Sequence, residues 1–358
     1  MGRTHPRLGF ALVTAAMLVA CTGPGERDAA APSPSPSPTS ASSAPAPTPA
    51  PAPVVTKVTI VGDIMLDRGV TARTTPAGAL RHMRRHLQKA DLTVGNLEST
   101  LSERGEPAQV PAGDSFAASP AVLADLRKAG FDALSLANNH TGDYGTPALL
   151  DTVEEFKGSG ISAFGAGRDL RQASRPALLE HDGVTFGFLG FNAIGETPQA
   201  APGTSGALSV RMPPRTGPLD EADLRHVLRA VRRLDERADV VVVLPHWGEQ
   251  YTHTPWPVQS LVGRRLVDAG ADLVAGGHPH WVQGTERHRG AVIAHSLGNF
   301  IFDMDFSQPT MEGVTLTATF EDDRLDDVDF TPYRMGADFA PRIVRGAAAK
   351  AILADMGR

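Results

Sequence analysis

Apolar residues along this chain gather into short runs closed by turn formers, alternating with longer stretches of helical period. Residues 55–65 read as a strand, 76–90 as a helix, and 91–94 as a second strand ending at Gly95-Asn96-Leu97-Glu98. A helix over 120–129, with proline at its start, leads to a strand at 133–137. A helix at 147–157, stopped by Gly158 and Gly160, leads to a short strand at 161–164. Two strands at 176–180 and 185–191 flank Asp182-Gly183, the sequence of a tight hairpin turn. The Pro/Gly-rich segment 200–218 reads as a lid. A helix at 219–238, an all-apolar strand at 240–244 and a helix at 257–269 follow. The last third changes character, with strands at 291–296, 314–320 and 325–330 and a turn at Asp322-Asp323.

Alternating strands and helices, with strands that look buried on both faces, predict a largely parallel sheet. The hairpins predict a second, more antiparallel sheet packed on it. With helices outside, the expected α/β fold is a four-layer α/β/β/α sandwich of two mixed sheets.

The strand ends carry the chemistry. Leu273-Val274-Ala275-Gly276 runs into Gly277-His278-Pro279-His280, and residues spaced i, i+2 on an extended strand point the same way. Both imidazoles are therefore expected to face one ion once the chain turns at Pro279. Gly62-Asp63, Asn138-Asn139-His140 and His246 close three further apolar runs. Strand C-termini of an α/β sheet share one edge, where ligands bind. A metal site assembled from several strand tips is the expectation.

The ends of the chain set its address. Arg3 and Arg7 precede an apolar stretch, Leu8 to Ala20, that is too short for a comfortable membrane span. Residues 1–20 read as a signal peptide, and Leu18-Val19-Ala20-Cys21 resembles a bacterial lipobox with Cys21 as the lipidated residue. An ordinary secretory signal with an incidental cysteine is the alternative. Cys21 is the only cysteine, so no intramolecular disulfide can form. Residues 21–53 are a Pro/Ser/Ala tract, expected as an extended spacer reaching up to about 100 Å from the membrane. A domain is expected over 54–340, followed by a tail or helix at 341–358. The expected location is extracytoplasmic, with the chain lipid-anchored to the cell membrane.

Net charge is −6, and loss of Arg3 and Arg7 with the signal would take it to −8. No Lys/Arg block points to nucleic acid, and the arginines of 225–237 read most simply as a solvated helix face.

Metal-assisted phosphoester hydrolysis needs neighbouring cations, a bridging carboxylate, neutral imidazoles or amides, and a proton donor near the leaving oxygen. The ordered blocks Gly62-Asp63-Ile64-Met65, Asn96-Leu97-Glu98, Ala137-Asn138-Asn139-His140, His246-Trp247-Gly248 and Gly277-His278-Pro279-His280 resemble those of the calcineurin-like metallophosphoesterases. They are more similar still to the bacterial capsule-synthesis CapA family, implicated in poly-γ-glutamate capsule formation. Ser296-Leu297-Gly298-Asn299-Phe300-Ile301-Phe302-Asp303 matches as well, so the resemblance runs from about Val58 to Asp303.

The resemblance implies a metallophosphoesterase-type sandwich holding one or two divalent transition metals (Mn, Fe or Zn). Asp63 and His280 would bind one ion, and Asn139, His246 and His278 the other, with Glu98 bridging and His140 as proton donor. Glu249, Asn192 and Asn299 are candidate substrate contacts, with loop structuring as the alternative. Met65 stands where the family places a histidine ligand, and a thioether suits such ions poorly. One firmly held ion is therefore an alternative to two. Partners would be polymer-synthase membrane proteins and an anionic polymer or phosphoester substrate, with no nucleic acid. Two other functions are weighed beside capsule synthesis: a free-standing surface metallophosphoesterase, and a non-catalytic polymer-binding protein.

Overall fold

A computed structural model describes residues 52–109 and 112–358. The expected signal peptide, Cys21 and all of the proline-rich tract before residue 52 lie outside the described residues.

The first sheet runs Pro341–Ile343, Arg324–Met335, Glu312–Glu321, Val55–Ile64, Leu92–Leu97, Ala133–Ser135 and Ser162–Phe164. The Val55–Ile64 strand pairs in parallel with Leu92–Leu97 and antiparallel with Glu312–Glu321, and Asn299–Ile301 joins its end in parallel. The second sheet runs Val282–His288, Ala291–Leu297, Leu273–Ala275, Val240–His246, Val184–Asn192 and Ala177–His181. Its four inner strands are parallel and its two edge strands antiparallel. Both sheets are mixed, as expected of the sandwich, but the expected split into a largely parallel and a more antiparallel sheet does not hold, since each sheet joins a parallel centre to antiparallel strands.

Period-2 alternation builds the layers. Val240, Val242 and Leu244 face the first sheet, packing in one cluster with Val58, Ile60, Val94, Phe186 and Leu316. Val241 and Val243 point the other way, toward Leu224, Val227, Val231 and Leu266 on helices Glu221–Asp235 and Pro257–Asp268. The opposite face of the first sheet, through Val61 and Ile64, packs on Val122 and Leu126 of helix Val122–Ala129. Three clusters between four layers give the α/β/β/α order. Strands buried on both faces leave little polar alternation, so their short all-apolar runs are the signature that sequence shows. Each fully buried aliphatic side chain contributes about 1.5–3 kcal/mol.

Local chemistry explains the turns. Asp182 and Gly183 adopt φ of 47° and 86°, the left-handed pair a two-residue hairpin needs. Asp220 caps helix Glu221–Asp235, its Oδ1 accepting from Ala222 N at 2.8 Å and Asp223 N at 3.0 Å.

Three expectations change. The helix expected over 76–90 is two short ones, Pro76–Leu80 and Arg84–Leu87. Gly78 O accepts from Arg81 N and from the Arg81 guanidinium, so the helical ladder breaks there. The segment 200–218 is docked rather than an open lid: Leu208 N bonds Gly165 O, Val210 N bonds Asn192 O, and Leu208, Val210 and Met212 are core residues. Residues 341–358 supply an edge strand and a helix, Gly346–Asp355, whose Ile352 packs between the sheets.

Candidate metal centre

The parallel strands of both sheets end on one edge, and the site forms there. Asp63 is opposite Asn96 in the register of the first two strands. Glu98 follows directly, with its N–H on Ile64 O at 2.8 Å. Asn138 folds the loop after Ala133–Ser135: its Oδ1 accepts from His140 N and Thr141 Oγ1, and its Nδ2 donates to Leu97 O and Asn96 Oδ1. That turn sends Asn139 and His140 in different directions. His246 ends its strand opposite Asn192, beside Gly277.

Past Ala275 the chain leaves the sheet. His278 and His280 have φ of 94° and 57°, a region costly for residues with a side chain and held only where the surroundings impose it. A Cβ on Gly277 would sit 2.4 Å from Asp63 Oδ1, so the segment can approach this carboxylate only with glycine there. The expectation that the i, i+2 spacing aims both rings at one ion is corrected by this backbone. His278 lies with Glu98 and His246, whereas His280 lies with Asp63 and Glu98, and within each trio the donor atoms are all within 4.8 Å of one another. Glu98 belongs to both.

The supporting bonds differ from residue to residue. Asp63 accepts from Asn96 Nδ2 at 2.9 Å and from His278 N at 3.0 Å. His280 Nδ1 meets Asn299 Oδ1 at 2.8 Å, which leaves Nε2 for the site. Asn139 Oδ1 is 2.8 Å from His246 Nε2, so an amide oxygen and an imidazole nitrogen converge on one space. His140 Nδ1 meets Asp143 Oδ2 at 2.7 Å, its ring stacks 4.0 Å from Phe116, and its Nε2 is 3.7 Å from Glu98 Oε1.

Burial governs the electrostatics. Removal from water raises Asp63 to about 6, opposed by the His278 N–H and the Asn96 amide. Glu98 is pushed well above the usual carboxylate range, first by burial and then by the charges of Asp63, Asp143 and Glu196. Burial lowers His280 to about 4 and holds His246 and His278 well below the usual imidazole range. Buried carboxylates and neutral imidazoles converging on one space are what a divalent cation offsets.

One test bears directly on fit. Both oxygens of Glu98 and both ring nitrogens of His278 are buried without a hydrogen-bond partner. Each such group costs about 1–3 kcal/mol. A cation among Glu98, Asn139, His246 and His278 would give both orphaned side chains a partner, and oxygen and imidazole donors suit divalent metals.

Other candidates are placed differently. Asn192 is committed to its own loop, donating to Gly195 O and accepting from Ile194 N. Asn299 acts on His280 and Thr310 O. Glu249 is outside both donor trios, half-exposed, 3.9 Å from Arg215. Met65 is fully buried in the helix-side core, where its sulfur accepts from Asp67 N. Sequence reasoning missed Asn96, which braces Asp63 and lies 3.3 Å from His246 Nδ1. It also missed Glu196, which accepts from Asn139 Nδ2 at 2.6 Å, and Arg215, 3.6 Å from Glu196. Asn96 stood inside a quoted block, but its role depends on the pairing register; Arg215 carries no local signal.

Comparison with known proteins places the chain. Residues 57–304 match the family described as bacterial capsule synthesis protein PGA_cap. The chain is 31% identical over 257 residues to the capsule biosynthesis protein CapA of Bacillus anthracis, covering 70% of this chain and 61% of the relative. It is also 31% identical over 259 residues to the PGA biosynthesis protein CapA of Bacillus subtilis (strain 168), covering 71% and 65%. The chain thus spans less than two thirds of the length of these relatives. A crystal structure of a hypothetical protein from Thermus thermophilus shares the fold, with a TM-score of 0.50 at 18% identity, over 78% of this chain and 99% of that one. This chain belongs to the bacterial capsule synthesis (PGA_cap) family, with the CapA proteins among its relatives.

Proposed function

We propose that this chain is a lipid-anchored envelope protein acting in synthesis or export of an anionic surface polymer of the poly-γ-glutamate type, through a metal-dependent, phosphoesterase-like site. The observation that carries the metal-dependent part is the pair of orphaned groups, Glu98 and His278, at the centre of the converging donors. Family membership supports the polymer context. Two oxygen donors and two imidazoles favour Mn, Fe or Zn over Mg.

A divalent ion bound there supplies Lewis-acid polarisation of a phosphoryl oxygen and activation of water. The protein does the rest. Glu98, Asn139, His246 and His278 would hold the ion, and Asp63 and His280 would offer a second, three-donor position with Glu98. Asp143 accepts from Nδ1–H of His140 and turns Nε2 toward Glu98, so the doubly protonated ring would carry on Nε2 the proton that passes to a leaving oxygen. Arg215 sits between Glu196 and Glu249, where its guanidinium can receive an anionic group of the substrate.

The test is complementation of a polymer-deficient host, paired with a phosphoester screen on the purified protein. Wild type should restore polymer and His246→Ala/His278→Ala should not. Equal restoration by both would defeat the metal-dependent reading and leave a non-catalytic polymer binder. Phosphoester turnover by a protein that restores no polymer would instead identify a free-standing phosphoesterase. For the anchor, Cys21→Ala should release the chain or leave it unprocessed. If that variant is processed and sediments with membranes as wild type does, the lipid anchor is refuted.

A further inference from the structure

A second cavity, of about 660 Å³, opens on the helical side of the second sheet's edge, and none of its lining residues belongs to the metal centre. Arg171, Arg175, Arg233 and Arg237 line it, with Ser174 and His226 between them. Arg233 is in the last turn of helix Glu221–Asp235 and Arg237 just past its end, while Arg171 and Arg175 come from a segment about sixty residues earlier. Two surfaces distant in sequence therefore bring four guanidinium groups to one concavity. The helix face expected to be merely solvated forms one wall of it.

Among the described residues no carboxylate is in ion-pair contact with any of these four arginines. Toward the start of the same helix, Arg211 is paired with Asp220 and Asp223, and Arg265 with Glu221. The one carboxylate in the lining, Asp169, accepts from Gln172 N at 2.7 Å and so caps the short helix Leu170–Ala173. His226 reports the same field. Its Nε2 meets Ser174 Oγ at 2.9 Å, and it is held below the usual imidazole range by burial and then by Arg229 and Arg233. In a chain of net charge −6, a concavity lined by four guanidiniums and one carboxylate is a local reversal of sign.

We infer that this cavity binds a segment of a polycarboxylate chain, the growing or exported polymer, at a site distinct from the metal centre. The assignment rests on the anionic-polymer part of the proposed function. Planar guanidiniums pair with carboxylates through two parallel hydrogen bonds, and a γ-linked glutamate chain presents one free carboxylate per residue. Several such pairs along one chain give retention without a single tight contact, so the protein can hold a polymer while its end is worked on elsewhere.

The experiment is fluorescence anisotropy of a labelled γ-glutamate oligomer titrated with the full chain at low and moderate salt. Wild type should bind, more weakly as salt rises. Arg233→Glu/Arg237→Glu should lower affinity about tenfold or more, with an unchanged thermal unfolding profile because both residues are exposed. Arg233→Lys/Arg237→Lys should keep most of the binding. His246→Ala/His278→Ala should bind as wild type does, which separates this site from the metal centre. No binding by wild type, or equal binding by the charge-reversed variant, overturns the inference. Tighter binding of polyphosphate or single-stranded DNA through the same arginines overturns the polycarboxylate assignment. If complementation fails to depend on the metal ligands while oligomer binding depends on the arginines, the metal reading falls and the cavity stands. Complementation that needs the metal ligands, with oligomer binding indifferent to the arginines, defeats the cavity alone.

Discussion

In one half of the metal centre the protein holds its own donors. Asp63 is bonded by Asn96 and by the His278 backbone, and His280 is braced by Asn299. In the other half, His278 has neither ring nitrogen bonded and Glu98 has neither oxygen bonded, while His246 and Asn139 converge on the same space. The first half is arranged in advance but offers three donors, because Met65 is buried in the core rather than facing an ion. The second offers four, and two of them, Glu98 and His278, have no protein partner, while His246 and Asn139 bond each other. Preorganisation and ligand demand are thus divided between the halves. On the proposed reading, the half with the larger demand, Glu98–Asn139–His246–His278, would take the firmly held ion.

The largest effect that sharpens this contrast concerns neither half. His140 is in neither trio and is fixed by Asp143 and Phe116. His140→Ala should retain metal and lower turnover by about 10²–10⁴-fold, the usual cost of losing acid–base assistance. Metal content and kinetics on the same preparation check it. Loss of metal would make His140 a ligand, and no change in either would remove the proton donor.

A smaller effect separates the halves. Asn299→Ala removes the brace on His280 Nδ1 and should weaken ion binding at the Asp63–Glu98–His280 position about 10–100-fold. The ion at the other position should stay. Metal titration followed by calorimetry should then show one tight phase unchanged and a weaker phase shifted. A shift in the tight phase would mean that the two halves are one unit.

Much of this was legible in the sequence, and the exceptions have physical causes. The all-apolar runs at 240–244 and 273–275 announced strands buried on both faces, and three core clusters show why. The Gly277-His278-Pro279-His280 run pointed to a candidate site, but strand alternation misdirected its rings, because both histidines adopt positive φ beyond the strand. Asn96 was visible as a residue and invisible as a brace, since only the Asp63–Asn96 register gives it that role. The helix expected over 76–90 breaks after Leu80, where the Arg81 backbone N–H and guanidinium both close on Gly78 O. Arg233 and Arg237 are exposed, as a solvated face should be, and that they share a cavity lining with Arg171 and Arg175 emerges only in the folded chain.

The most direct measurement is elemental analysis of the full chain purified without chelator, wild type beside His246→Ala/His278→Ala and Asp63→Asn, with circular dichroism confirming that each is folded. The expected result is at least one Mn, Fe or Zn per chain in wild type, retained in Asp63→Asn and lost in the double variant. Wild type carrying no more metal than the folded double variant would contradict a metal centre built on Glu98, His246 and His278.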